Sequence, residues 1–378
     1  MRSQKFKFGY LTLDIKKGLN NIYPLRLIFQ LHRYVYTGYA SMEQRKIISL
    51  GRSSLVVSLP KHWIELNKLK QGDVVSIAIQ RDRSLVIFPG RRKRELRKIT
   101  LYIGSDEAPA SIARKVIACY LNGYFGIRLL SKGIFTVPQQ MAVRDISRKL
   151  YMRIMESNAK SVYIQTLIDE TKASVDAAIH RMHSITASMY RDALNSLKNQ
   201  DVALAKVVYS LDDDIDHFSF FILRLIRSVI LNPELTNYLD LEPIDCPDYQ
   251  TLVHRIEQVA DRAANIAKSV ILLEEAKQKI PEQILELILE TGDKVFKAYD
   301  RAVKAFFSKD VDEANKIIEL HKTIKSLDQE ISSKFFLRRV RNVTLTCSVC
   351  SIRDTIRETM EHVVDIAEIT IDRSYRAS

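Results

Sequence analysis

Ile256-Glu257-Gln258-Val259-Ala260-Asp261-Arg262-Ala263-Ala264-Asn265-Ile266-Ala267 matches, one hundred positions on, Ile356-Arg357-Glu358-Thr359-Met360-Glu361-His362-Val363-Val364-Asp365-Ile366-Ala367. A second match lies upstream of each: Asp201-Val202-Ala203-Leu204-Ala205-Lys206-Val207-Val208 against Asp310-Val311-Asp312-Glu313-Ala314-Asn315-Lys316-Ile317. The two spacings agree to within about ten residues, which is what a duplicated structural unit leaves in a sequence. From about Glu170 onward the chain reads as helix almost throughout. Six helices are expected, at about 170–199, 201–231, 248–279, 281–308, 310–342 and 346–375. Asp201 and Asp310 stand where N-caps belong. Three helices used twice therefore account for the C-terminal half.

Composition agrees. Of 378 residues, only 11 are Gly and 9 Pro, the two types a helix interior tolerates least. Hydrophobic content of 46% and charged content of 27% are those of a globular chain. No apolar run approaches the roughly 18 residues of a spanning helix, so membrane insertion is not expected. Four cysteines (Cys119, Cys246, Cys347, Cys350) in a chain this long are no disulfide framework, and the cytoplasm is the expected location.

The charge is unevenly placed. The first 98 residues carry 21 basic side chains against six acidic ones, a net +15, while the whole chain is +13. Any surface for a polyanion is expected in the first quarter. Residues 1–41 are basic, aromatic and without periodicity. They are expected to lie outside the fold, as a disordered arm or as sequence upstream of a natural start at Met42. Residues 42–90 read as strand (Arg45–Leu50), strand (Ser54–Leu59), a short helix opened by Pro60, strand (Val74–Gln80) and strand (Leu85–Phe88), the last two forming a hairpin. So short a piece has too little core to stand alone, and dimerisation by interleaving strands would supply the burial. Residues 91–98 form a basic linker, either a solvated connector or an extra phosphate contact. Residues 99–168 alternate: strand Ile99–Ile103, helix about Pro109–Gly123, strand Gly126–Leu130, helix about Pro138–Ser157, strand Ser161–Leu167. This βαβαβ domain has no Gly-rich phosphate loop. The fold class is multidomain and mainly α: a small swapped-hairpin β domain, the small α/β domain, then two three-helix bundles at 170–279 and 281–375.

The candidate chemistry lies in two places. For DNA phosphates, Arg45, Lys46, Arg52, Lys61, Arg81 and Arg83 are the expected contacts. For a metal, Glu257, Asp261 and Asn265 recur at i, i+4 and i+8 on one helix, and Asp212, Asp213 and Asp216 share the preceding helix. Either these are two solvated stripes or they converge on a hard cation such as Mg²⁺, Ca²⁺, Mn²⁺ or iron. Glu361 and Asp365 are the weaker equivalents in the second copy. Cys347-Ser348-Val349-Cys350 has no partner ligands at zinc spacing and reads as helical thiols. His180 and His183 read as packing or surface residues. No nucleophile–base arrangement or nucleotide loop is present, so no enzyme activity is expected.

The repeats resemble the PhoU family, whose third helix in each repeat carries a Glu/Asp-x-x-x-Asp signature followed by Asn-Ile-Ala. Glu257, Asp261 and Asn265-Ile266-Ala267 fit it, and Asp212 or Asp213 with Ile215 and Asp216 fit the second-helix signature. In the second copy Arg357 replaces the first carboxylate and Lys325 stands in the place of Asp216. The resemblance implies metal clusters on these faces and regulation of phosphate uptake, with a phosphate transporter ATPase subunit as a possible partner. The front module is similar to the AbrB/SpoVT swapped-hairpin family, on Gly51-Arg52-Ser53-Ser54-Leu55-Val56-Val57-Ser58-Leu59-Pro60-Lys61-His62-Trp63, Leu69-Lys70-Gln71-Gly72-Asp73-Val74-Val75 and Ser84-Leu85-Val86-Ile87. That resemblance implies a DNA-bound homodimer, and fusions of this module to PhoU repeats look archaeal. The expected function is a DNA-binding transcriptional regulator of phosphate homeostasis. A signalling adaptor on a phosphate transporter and a metal-binding or storage protein are the alternatives.

Overall fold

The computed structural model describes residues 43–79, 83–91, 96–337 and 342–376. The expected extension at 1–41, Arg81 and the centre of the basic linker lie outside the described residues. The chain divides into two compact units between Val74 and Val75.

In the first unit, β1 (Ile48–Leu50) and β2 (Ser54–Val56) pair antiparallel about the turn Gly51-Arg52-Ser53, with Ser49 opposite Leu55. Gly51 sits at φ +72°, a conformation glycine adopts without steric cost. Both strands are three residues long, shorter than the sequence pattern suggested. Helix α1 (Lys61–Leu66) starts after Pro60 and buries none of its residues. Ile47, Ile48, Leu50 and Leu55 are all more than half exposed. The unit has apolar side chains but no core among its described residues.

The second unit opens with the hairpin β3 (Val75–Ile79) and β4 (Leu85–Pro89), in register from Val75 opposite Pro89 to Ile79 opposite Leu85. An α/β layer follows: β5 (Lys98–Ile103), α2 (Pro109–Leu121), β6 (Gly126–Ser131), α3 (Val137–Lys149), β7 (Met152–Ser157) and β8 (Ser161–Thr166). The sheet order is β5-β6-β8-β7; β5 and β6 are parallel, the other pairs antiparallel. The layer is therefore βαβαββ, not βαβαβ. The helix expected to reach Ser157 ends at Lys149 because Tyr151 adopts φ +52°, which no helix accommodates. Inward positions Ile103, Ile127, Leu129, Met152, Val162 and Ile164 pack with Ile112, Val116, Val143 and Ile146 of the two helices into one core.

The rest is a six-helix bundle. The first repeat is α4 (Val175–Asn199), α5 (Val202–Leu231) and, after a short turn of helix α6 (Thr236–Leu239), α7 (Cys246–Glu275). The second is α8 (Glu282–Ser308), α9 (Val311–Phe336) and α10 (Val343–Ser374). The internal repetition reaches local geometry. Asp201 caps α5 by accepting from the Leu204 N–H at 3.0 Å, and Asp310 caps α9 by accepting from the Glu313 N–H at 2.9 Å. Each cap follows a left-handed residue, Gln200 (φ 56°) and Lys309 (φ 55°). Tyr190 of α4 and Tyr299 of α8 hold equivalent places, and both are completely buried. The third helices pack on each other through Arg255–Asp365 and Arg262–Glu358, each pair at 2.8 Å.

Candidate functional site

Ile215 is buried in the bundle core and fixes the rotation of α5. Asp212 and Asp216, one turn apart, are left half-buried along the α5–α7 seam, while Asp213 and Asp214 are exposed. On α7, buried Ile256, Val259, Ala260 and Ala263 face the core and set Glu257 and Asp261 at its margin, half-buried. Asp212, Asp216, Glu257 and Asp261 thus line one seam, which Ser219 of α5 crosses to reach Glu257 of α7. Burial, then the Asp261 charge, pushes the Asp212 carboxyl up to about 6. Burial, then the Glu257 and Asp212 charges, does the same to Asp216, also to about 6. Asp261 is raised as well, by burial first and Glu257 second. The interaction between the Asp212 and Asp261 side chains favours the proton on Asp212, and Asp212 Oδ1 is buried without a hydrogen-bond partner.

Polar groups surround the cluster. Ser219 Oγ donates to Glu257 Oε2 at 3.2 Å, and His254 Nδ1 lies 3.5 Å from the same carboxylate. Lys149, at the end of α3, pairs with Asp213 at 2.5 Å and holds that carboxyl below its usual range. An open groove lined by Thr251, His254, Arg255, Glu257, Gln258 and Asp261 leads to the cluster. Asn265 is half-buried one turn beyond Asp261, and its backbone carbonyl accepts from Ser269. Lys149, Ser219 and His254 were not singled out by sequence reasoning. The contribution of Lys149 carries no sequence signal, since 64 residues separate it from Asp213.

An orphaned carboxylate oxygen among four carboxyls is hard-oxygen chemistry, and it fits a hard cation better than a soft one. Among the described residues, however, no group of three or more His, Cys, Asp or Glu side chains stands close enough to hold a metal ion as placed. The carboxylates would have to draw together around it.

In the second copy the acidic positions are paired with arginines, one from its own helix and one from the first repeat. Arg357, at the position of Glu257, donates to Glu361 Oε1 at 2.6 Å. Asp365 is paired with Arg255. Lys325, at the position of Asp216, is exposed. Repeat two instead ties α9 to α10 with a two-pronged Arg353–Asp328 pair at 2.9 and 3.0 Å.

Of the residues expected on DNA, Arg45, Lys46, Arg52 and Lys61 are exposed in the first unit. Arg45 contacts Glu43 and donates to Ser58 Oγ at 3.3 Å, and Lys61 stands 3.8 Å from Glu65. Arg83 is exposed at the β3–β4 turn of the second unit, at φ +67°. Cys347 is exposed and Cys350 half-buried in the first turns of α10, and neither is in a disulfide. His180 stacks on Phe307 at 4.1 Å, and burial depresses His183 to about 4, so it is neutral at pH 7. No described helix is long and apolar enough to cross a membrane.

Family models match both the front module and the helical repeats. The family model for the PhoU domain matches residues 179–270 and 288–370. The model described as antidote-toxin recognition MazE, bacterial antitoxin, matches residues 48–95, from β1 past β4. The phosphate-specific transport system accessory protein PhoU homolog 1 of Thermotoga maritima is 24% identical over 191 residues, covering 50% of this chain and 79% of that protein. Among solved structures, PhoU from Pseudomonas aeruginosa aligns with a TM-score of 0.47 at 20% identity, over 52% of this chain and 93% of that one. The phosphate transport system regulatory protein PhoU from Streptococcus pneumoniae aligns with a TM-score of 0.46 at 15% identity, over 52% and 91%. The chain is thus a fusion of a MazE/AbrB-type domain with tandem PhoU domains.

Proposed function

We propose that this protein is a DNA-binding transcriptional regulator of phosphate uptake, in which the first-quarter basic residues contact DNA and the PhoU repeats sense. The observation that carries the reading is the tandem PhoU match joined to a MazE/AbrB-type domain in the most basic part of the chain. Arg45, Lys46, Arg52, Lys61, Arg81 and Arg83 are the proposed phosphate contacts. They supply affinity that falls with salt, because each neutralised phosphate releases counterions. The exposure of Ile47, Ile48, Leu50 and Leu55 among the described residues of the first unit supports a homodimer built through this module. The test is titration of the full chain with promoter DNA of a phosphate-transporter operon across a salt series. Binding is expected, with the log–log salt slope reduced by about 1.8 in the Arg45→Ala/Arg52→Ala variant, roughly 0.9 per phosphate contact. No DNA binding at low salt would sink the reading.

A second element concerns the first repeat. The orphaned Asp212 Oδ1 beside three further carboxyls supports a hard divalent cation or iron held by Asp212, Asp216, Glu257 and Asp261, with Asp213 and Asn265 at its rim. Glu361 and Asp365 are weaker, being paired to arginines. Elemental analysis of the purified protein, beside Glu257→Gln and Asp261→Asn, decides it; a wild type without metal removes the assignment. The name of the Thermotoga relative supports docking on a phosphate transporter. Co-purification with a transporter ATPase subunit that survives Arg45→Ala/Arg52→Ala would make the adaptor role the primary one.

A further inference from the structure

The α/β layer between the two named parts has a face that neither role uses. Its helices α2 and α3 cover only one side of the sheet, the side carrying Ile103, Ile127, Leu129, Val162 and Ile164. The alternate positions point the other way. The strand register sets them in rows: Lys98, Gly126, Gln165 and Arg153 in one, Thr100, Arg128, Tyr163 and Glu156 in the next, then Tyr102 beside Leu130. Lys98, Thr100, Tyr102 and Arg153 are exposed, Tyr102 at 77% of its surface.

This face is organised. Gly126 has no side chain, and a Cβ there would lie 2.3 Å from Tyr163 Oη, so glycine is what lets the Tyr163 ring lie flat across the sheet. Arg128 stacks over that ring at 4.9 Å and Lys98 approaches it at 5.9 Å. Arg128 also pairs with Glu156 at 3.0 Å, which holds the guanidinium in place. The result is a four-stranded surface with three cations, one anion, the Tyr163 ring buried beneath Arg128 and Lys98, and the exposed Tyr102 ring. Residues 98–168 carry ten basic side chains against four acidic ones.

We infer that this sheet face binds single-stranded nucleic acid, with Tyr102 stacking on an unpaired base and Lys98 and Arg153 contacting phosphates on either side of the Tyr163–Arg128 stack. An exposed ring, Tyr102, flanked by cations on a sheet suits bases splayed from a single strand, which offer a π-face to stack on and a charged backbone to track. A duplex keeps its bases stacked and offers a flat sheet only phosphates. A second copy is disfavoured, because face-to-face pairing about a two-fold axis sets a net positive face, three cations to one anion, against its like. The inference is independent of duplex binding by the front module.

The test is fluorescence anisotropy of the full chain with short labelled mixed-sequence single strands of DNA and RNA, in excess unlabelled duplex that occupies the front module. Saturable binding that survives the duplex is expected. Tyr102→Ala should weaken it by about 5- to 150-fold, the range found for one stacked base, while Tyr102→Phe keeps the ring and the affinity. Arg153→Ala should lower the slope of log affinity against log salt by about 0.7. Both residues are exposed, so circular dichroism should show the variants folded. Abolition of binding by the duplex, equal affinity in Tyr102→Ala, or a change in sedimenting mass in Tyr102→Ala would overturn the inference, the last by identifying a second copy as the occupant.

Discussion

Above pH about 6 the metal-free protein must ionise Asp212 and Asp216 beside Glu257 and Asp261. Their ordinary value is 3.8, so in the window from about 4 to about 6 the native state holds protons that the unfolded chain has released. Stability from this pair therefore falls as pH rises through that window. In metal-free protein, Asp212→Asn should raise Tm at pH 7 by a few degrees, roughly 2–4 °C for each kcal/mol relieved in a domain this size, and the gain should vanish by pH 4. His183 runs the other way. Its value is depressed to about 4 by burial, so what it contributes is present above pH 6.5 and is lost as pH falls toward 4. Melting curves of wild type, Asp212→Asn and His183→Phe at pH 4, 5.5 and 7 separate the two. A gain in Asp212→Asn that persists at pH 4 would refute the account. The stripe Glu257, Asp261, Asn265 was legible in the sequence because helical spacing alone aligns it. The meeting of that stripe with Asp212 and Asp216, and the visit of Lys149, depend on how helices pack, which spacing does not encode.

At the scale of elements, the sequence was most informative where the chain punctuates itself. Asp201 and Asp310 lie at the two breaks and cap the helices they precede. Removing one exposes an amide that the side chain satisfied, so Asp310→Ala should cost about 1 kcal/mol in urea unfolding, and Asp310→Asn much less. Equal losses in the two variants would show that the cap is not the cause. Strand β7 was missed for the opposite reason. Its break from α3 falls on Leu150-Tyr151, residues that carry no turn signature, and Tyr151 is held at positive φ by its tertiary setting. Helix-forming Met152, Arg153 and Met155 then continue the helical reading across what is in fact a sheet edge. The shortness of β1 and β2 also escaped the pattern, because β-branched composition marks a strand's existence better than its ends.

At the scale of the molecule, the two halves solve the burial problem differently. The PhoU repeats close a continuous core in which paired positions such as Tyr190 and Tyr299 face a shared interior. The first unit leaves Ile47, Ile48, Leu50 and Leu55 in solvent. If a second copy covers them, sedimentation should give a dimer, and Leu55→Asp, which puts a charge into that contact, should shift it to monomer while leaving the helical circular dichroism intact. A monomeric wild type would exclude the homodimer. The duplication itself was plain in the sequence; its inequality was visible in Arg357 and Lys325. What the structure adds is that Arg357 bonds Glu361, so the second copy carries its own counter-charge where the first leaves an oxygen unpaired.

Arg224 on α5 is almost fully buried. It pairs with buried Glu170 at 2.9 Å, donates to the carbonyls of Tyr120 and Tyr124 at the end of α2, and lies over the Tyr120 ring. Those three residues belong to the α/β layer and its exit, not to the bundle. Removing Glu170 while the two stay packed would leave the Arg224 charge buried without its counter-ion, at a cost of about 3–5 kcal/mol. The seam near residue 169 is therefore a boundary in sequence but not in cooperativity. Hydrogen exchange should find α2, β6 and α5 opening as one unit with a single free energy, and Arg224→Met should split that unit into two that open apart.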